Sequence, residues 1–176
     1  MDRVYDGVKI IFLTGFMGAG KSTIGKIIAE KLNYKLLDTD AKIEAIKGKS
    51  IARIFQEEGE ATFRSYETDV LKKLPVENTI VTTGGGIVVN EVNRKIMREK
   101  GRIVYLHCDI EEILERTKGD TTRPLLQNKS KEQVNELFIQ RKPFYEDADY
   151  KIDTTNLSIS EIVDKILLIL NEYRSK

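Results

Sequence analysis

Apolar and polar positions along the chain follow two rhythms. Val8-Lys9-Ile10-Ile11-Phe12-Leu13 is a short, nearly continuous apolar run ended by Thr14-Gly15, the pattern of a strand buried on both faces. Ile24, Ile27, Ile28 and Leu32 then recur at helical spacing and predict an amphipathic helix. Tyr34–Leu37 predicts a second strand running into Asp38-Thr39-Asp40, where the two aspartates share one face if the chain stays extended. Ala41–Leu74 is rich in helical periodicity, broken at Gly48 and near Gly59. Thr79–Thr83 reads as a third strand stopped by Gly84-Gly85-Gly86. A helix over Glu91–Lys100, a strand over Arg102–His107 and a helix over Ile110–Thr117 follow. Ser130 and Gln133 form a capping box that opens a helix towards Arg141, with Pro143 expected just beyond its end. Asp149–Asp153 reads as an edge strand, and Ser158 with Glu161 caps a last helix that buries Ile162, Val163, Ile166, Leu167 and Leu170.

Strands that alternate with helical crossovers predict a mostly parallel sheet covered on both faces, one α/β domain over residues 1–176. No internal repeat, low-complexity tract or linker interrupts it. The 118–128 stretch has neither rhythm and reads as a mobile loop. Lys and Arg total 29 against 28 Asp and Glu, so a net charge of +1 gives no long-range field for nucleic acid or an anionic membrane. Any anion must be held locally. One cysteine excludes an internal disulfide framework and fits a reducing compartment. No apolar run approaches the ~18–20 residues of a membrane span, and Met1-Asp2-Arg3 does not begin like a signal peptide. A cytoplasmic, soluble protein is the expectation.

Local anion binding has an obvious seat. Gly15-Phe16-Met17-Gly18-Ala19-Gly20-Lys21-Ser22 fits G-x-x-x-x-G-K-[ST], preceded by a buried strand and followed by an amphipathic helix. In that setting the backbone N–H groups of Gly18, Ala19 and Gly20 cradle phosphates at the positive end of the helix. Lys21 reaches the β- and γ-phosphates and the Ser22 hydroxyl ligates Mg²⁺, so the expected ligands are ATP and Mg²⁺. The third strand ends in glycines where many P-loop ATPases carry a carboxylate, and Asp38 or Asp40 at the second strand's end can supply it. In a parallel sheet these ends open on the same rim as the phosphate loop.

Several further motifs accompany the loop: Thr23 after it, Asp38-Thr39-Asp40, Glu60-Ala61-Thr62-Phe63-Arg64, Thr83-Gly84-Gly85-Gly86, Arg123-Pro124-Leu125-Leu126 and Arg141-Lys142-Pro143-Phe144-Tyr145. Their order and spacing, from about Val8 to Leu170, resemble those of the shikimate kinases. The resemblance implies a P-loop NTPase fold of the nucleoside-monophosphate-kinase type. Its five-stranded parallel sheet is flanked by helices, with a substrate-binding segment at 41–60 and a lid at 118–128. It implies transfer of the ATP γ-phosphoryl group to the 3-hydroxyl of shikimate in chorismate and aromatic amino acid biosynthesis, by a monomer. Lys21, Asp40 and Arg123 become catalytic by this resemblance. Thr23, Arg116 and Arg123 join the nucleotide site, Arg116 by stacking on adenine and Arg123 as the lid cation. Asp38 reaches Mg²⁺ through water beside Ser22. Arg64 and Arg141 hold the shikimate carboxylate, Asp40 accepts from its hydroxyls, and Gly85 brings a backbone N–H against it.

Taken residue by residue, Arg64 also fits a plain salt bridge to Glu60 or Glu67, and Arg141 a helix-end charge. An Asp near its ordinary pKa of about 3.9 is a weak base, which makes Asp40 an orienting group before a proton acceptor. Glu57, Glu58 and Glu60 read as a solvated cluster, and His107 and Cys108 as structural. A gluconate or nucleoside-monophosphate kinase, or a nucleotide-binding module without catalysis, are the competing readings.

Overall fold

The computed structural model describes residues 9–75, 77–117 and 129–172. Among these residues the chain runs β1 (Ile10–Thr14), α1 (Lys21–Leu32), β2 (Lys35–Asp38), α2 (Thr39–Lys47), α3 (Ile51–Glu58) and α4 (Glu60–Lys72). It continues through β3 (Thr79–Thr82), a 3₁₀ turn (Ile87–Val89), α5 (Glu91–Lys100), β4 (Arg102–His107) and α6 (Ile110–Arg116). After the undescribed stretch come α7 (Lys131–Glu146), β5 (Tyr150–Asp153) and α8 (Ile159–Glu172). The five strands pair in parallel in the order β2-β3-β1-β4-β5. The expected lid at 118–128, Arg123 included, lies outside the described residues.

Two-faced burial follows from the strand period of two. Ile10, Phe12, Val81, Ile103 and Tyr105 point into one apolar cluster, and Ile11, Leu13, Ile80, Val104 and Leu106 into the other. Ile24, Ile28 and Leu32 of α1 and Ile162, Val163, Ile166 and Leu170 of α8 cover the second face. Leu71, Met97, Val134, Phe138 and Tyr145 cover the first. A third, smaller cluster of Ile43, Ile54, Phe63 and Val70 lies inside the α2–α4 segment, with Leu37 packed against it as well as against the first cluster.

Caps set the helix starts that the sequence marked. Ser130 and Gln133 form the reciprocal box at the start of α7, and Ser158 exchanges hydrogen bonds with Glu161 before α8. Two expectations are corrected. First, α7 runs through Pro143 instead of ending before it, so Arg141 lies within the helix and not at its terminus. Pro143 deprives the Ile139 carbonyl of its helical donor, a loss of the kind that costs about 3 kcal/mol. That loss falls on an outward face, where Ile139 and Pro143 are exposed, while Tyr145 beyond it is anchored in the core. Second, β2 stops at Asp38. Thr39 and Asp40 already lie in the first turn of α2, so the two aspartates do not share the face of an extended strand.

Candidate active site

The phosphate loop occupies the turn from β1 into α1. Gly18 and Gly20 have φ values of 84° and 90°, the left-handed region that a residue with a β-carbon enters at a cost. Lys21 is folded back over the loop, its Nζ donating to the Gly15 carbonyl at 2.7 Å and the Phe16 carbonyl at 2.9 Å. Ser22 and Thr23 are exposed on the first turn of α1.

Asp38, at the end of the edge strand β2, caps α2 by accepting from the Ala41 N–H at 3.0 Å. Its second oxygen accepts from the Thr82 hydroxyl at 2.7 Å, so the carboxylate missing from β3 is delivered to the end of β3 by its neighbour. The Thr39 hydroxyl, fully buried, accepts from the Gly84 N–H at 3.0 Å and ties the acidic turn to the glycine loop. A cleft of about 730 Å³ opens here, with Ser22, Asp38, Asp40, Arg64, Arg116 and Arg141 among its walls.

The triple glycine is a steric requirement of this wall. A β-carbon on Gly84 would stand 2.6 Å from Asp40 Oδ1 and 3.1 Å from Glu67 Oε1. One on Gly86 would stand 2.5 Å from both terminal nitrogens of Arg64, and one on Gly85 would crowd the Met17 nitrogen at 3.3 Å. Three consecutive residues without side chains let two carboxylates, a guanidinium and the phosphate loop approach the same backbone.

Asp40 Oδ1, Glu67 Oε1 and Arg141 Nη1 are buried with no hydrogen-bond partner. Burial pushes the Asp40 pKa up to about 6, helped by the Asp38 charge and opposed by Lys21 and Arg64. Glu67, with no exposed surface, is pushed up to about 7 by burial, against the pull of Arg64. The weak-base premise for Asp40 is therefore corrected: desolvation moves it towards the range in which a carboxylate accepts a proton near neutral pH.

Arg64 answers both readings at once. Its Nη1 donates to Glu67 Oε2 and its Nη2 to Glu60 Oε1, each at 2.8 Å, and the same guanidinium lines the cleft. The supposedly solvated glutamates are paired too. Glu57 holds Lys49 and Arg53, and Glu58 accepts from the Tyr66 hydroxyl at 2.6 Å and from Lys49 at 3.0 Å. Arg116 is hydrogen-bonded to Glu112 Oε1, while Glu112 Oε2 accepts from the Asn156 N–H at 3.1 Å, linking α6 to the loop before α8. His107 is hydrogen-bonded to the Tyr105 hydroxyl at 3.0 Å, and burial pushes the Cys108 thiol up.

Glu67 is the cleft residue that sequence reasoning undervalued. Phe63, Glu67, Val70 and Leu71 form the buried stripe of α4, and a carboxylate on an apolar stripe was the available signal. Thr39, Thr82 and Tyr145 carried no comparable mark.

The donor set fits Mg²⁺, which takes a hydroxyl, one or two carboxylates, phosphates and water. Ser22 and Asp38 supply the first two of these. Among the described residues there is no cluster of three or more His, Cys, Asp or Glu able to cage a metal unaided.

The sequence model of the shikimate kinase family matches residues 17–171. The shikimate kinase of Bacillus cereus strain AH187 is 50% identical over 165 residues, covering 94% of this chain and 100% of its own. A structure of shikimate kinase from Acinetobacter baumannii in complex with shikimate superposes with a TM-score of 0.93 at 36% identity, covering all of both chains. The Aquifex aeolicus shikimate kinase structure gives 0.81 at 37% identity, covering 92% of this chain and 96% of that one. Family model, full-length relatives and superposed structures all carry one name over nearly the whole chain, and the chain belongs to the shikimate kinase family of ATP-dependent phosphotransferases.

Proposed function

We propose that residues 1–176 act as one domain in which the described cleft brings ATP and shikimate together. The γ-phosphoryl group passes to the shikimate 3-hydroxyl, giving shikimate 3-phosphate and ADP. Gly18, Ala19, Gly20, Ser22 and Thr23 receive the phosphates. Lys21 exchanges its loop carbonyls for phosphate oxygens and stabilises charge on the transferring group. Ser22, with Asp38 through water, would hold Mg²⁺, which would neutralise charge on the phosphates. Arg116 stacks on adenine, and Arg123, outside the described residues, closes over the phosphates from the lid at 118–128.

On the acceptor side, the 41–60 segment and α4 enclose shikimate. Arg141 and Arg64 take its carboxylate, with Gly85 presenting its N–H. Asp40 accepts a hydrogen bond from the attacking hydroxyl. As the new O–P bond forms and the bond between Pγ and the β,γ-bridging oxygen breaks, the hydroxyl proton passes to Asp40 and ADP leaves with the bond's electron pair. The raised pKa of Asp40 suits it to this late proton transfer.

The observation that carries this reading is the convergence of three unsatisfied buried atoms in one cleft. Two are carboxylate oxygens suited to hydroxyl donors, and one is a guanidinium nitrogen suited to a carboxylate. A coupled ADP-release assay across shikimate, gluconate, AMP and CMP tests it. Turnover that depends on shikimate alone is expected, and ADP release indifferent to shikimate rejects it. Among the described residues no helix is long and apolar enough to cross a membrane. The balanced charge gives no field for nucleic acid or an anionic membrane, and we read the protein as a cytoplasmic monomer whose partners are small molecules.

A further inference from the structure

Helix α7 meets the acceptor side of the cleft at two inward positions one turn apart, Arg141 and Tyr145, which are 5% and 1% exposed. Stacking on Tyr105, with ring centroids 5.2 Å apart and planes 16° from parallel, fixes the Tyr145 ring. Its hydroxyl donates to the carbonyl oxygen of Gly85, the central residue of the glycine wall. A phenol that has given its one proton to a carbonyl still has lone pairs for a second donor. The Arg141 guanidinium lies one turn back on the same helix, buried like the phenol, and its charge acts on that hydroxyl.

We propose that Tyr145 is a positioning residue for the acceptor: its hydroxyl couples the Gly85 backbone to Arg141 and sets the distance between the glycine wall and the cation that takes the substrate carboxylate. The inference rests on reading Arg141 as that carboxylate's ligand. Burial pushes the Tyr145 phenol up to about 12, against the pull of Arg141, so it remains a donor at any working pH. A second tether leaves the helix docked when the hydroxyl is removed. Arg94 donates to the Val88 carbonyl at 2.6 Å, to the Val89 carbonyl at 3.2 Å and to Asp147 at 3.1 Å, and Arg98 also pairs with Asp147. The end of α7 is thereby fastened to the segment after the glycines without Tyr145. Losing the hydroxyl changes how Arg141 is aimed more than where α7 sits.

The test is steady-state kinetics on Tyr145→Phe, Arg141→Lys and the double variant in the full chain. Tyr145→Phe is expected to raise KM for shikimate about 5- to 10-fold while KM for ATP changes less than about twofold. In the Arg141→Lys background the same change is expected to add little, because the group it acts through has been altered. Shikimate KM unmoved by Tyr145→Phe but raised by Arg141→Lys overturns the positioning role and leaves the proposed function standing. Fully additive effects also overturn it. Shikimate KM unmoved by Arg141→Lys overturns the carboxylate assignment itself, and the positioning role with it. If Tyr145→Phe does not fold, site-specific 3,5-difluorotyrosine at 145 keeps the ring and lowers the phenol pKa. Shikimate KM should then begin to rise at a lower pH than in the unmodified enzyme, since a phenolate cannot donate to Gly85, and an unchanged pH profile refutes the coupling.

Discussion

Replacing Asp40 by Asn should abolish turnover and yet stabilise the ligand-free protein. The carboxyl's pKa rises from 3.8 to about 6 on folding, chiefly through burial, with Asp38 adding to it. A carboxylate whose folded pKa lies above its unfolded value contributes stability that is fully present below about pH 4. That contribution is lost as pH rises through about 6. About two pKa units correspond to about 3 kcal/mol. Near pH 8 the ionised wild-type carboxylate carries that penalty and the neutral amide does not. Asp40 Oδ1 has no hydrogen-bond partner for the substitution to remove. For a chain of 176 residues, 3 kcal/mol corresponds to a rise of roughly 6–12 °C in Tm. Urea and thermal unfolding of the two ligand-free proteins, from about pH 4.5 to about pH 8.5, measure the gap. It should be widest at the alkaline end and close on acidification, while kcat falls by orders of magnitude and ATP binding is kept. Saturating shikimate should raise the wild-type Tm more than that of the variant. An Asn variant no more stable than wild type near pH 8, or a gap indifferent to pH, would refute the claim that Asp40 is held charged against its surroundings.

Because Asp40 must be ionised to receive a proton, kcat/KM for shikimate should fall below about pH 6 with a slope approaching one, and a pH–rate profile on the wild-type enzyme shows whether it does. Gly84→Ala would force a β-carbon to within 2.6 Å of Asp40 Oδ1, so kcat should drop at least about 10-fold while nucleotide affinity, read by titration, is retained. Pro143→Ala should restore the backbone donor to the Ile139 carbonyl on an exposed helix face and stabilise the protein by about 1–3 kcal/mol in urea unfolding, with no change in kcat.

Where neighbouring residues in sequence decide the structure, the sequence is readable to the residue. Helix α5 and strand β4 have the bounds that periodicity predicts, and both serine caps form as their spacing implies. Pro143 misleads because a local rule is overridden by the distant anchoring of Tyr145 on Gly85 and Tyr105. The Asp38–Asp40 turn misleads for a related reason. Spacing cannot tell whether a strand stops at the first aspartate or runs on to the second, and here the Asp38 side chain itself starts the helix by capping it. Most residues named from the sequence line one cleft, but their electrostatics were not legible there. Burial of Asp40 and Glu67 depends on glycines and arginines brought from three separate segments, and composition has no term for desolvation.

The α2–α4 segment carries its own small apolar cluster, and Leu37 packs against both it and the main core. It also departs from the edge strand β2, which is held by β3 alone within the sheet. Such an arrangement is modular. The unit has a private core, joined to the main core through Leu37 and Leu71 and to the sheet through one peripheral strand. The same separation lets recognition of the phosphoryl acceptor be rewritten by substitution in that unit while the nucleotide half stays as it is. The edge position of β2 therefore leaves the α2–α4 unit at the margin of the sheet, where substitutions in its private core disturb the strands around the phosphate loop least.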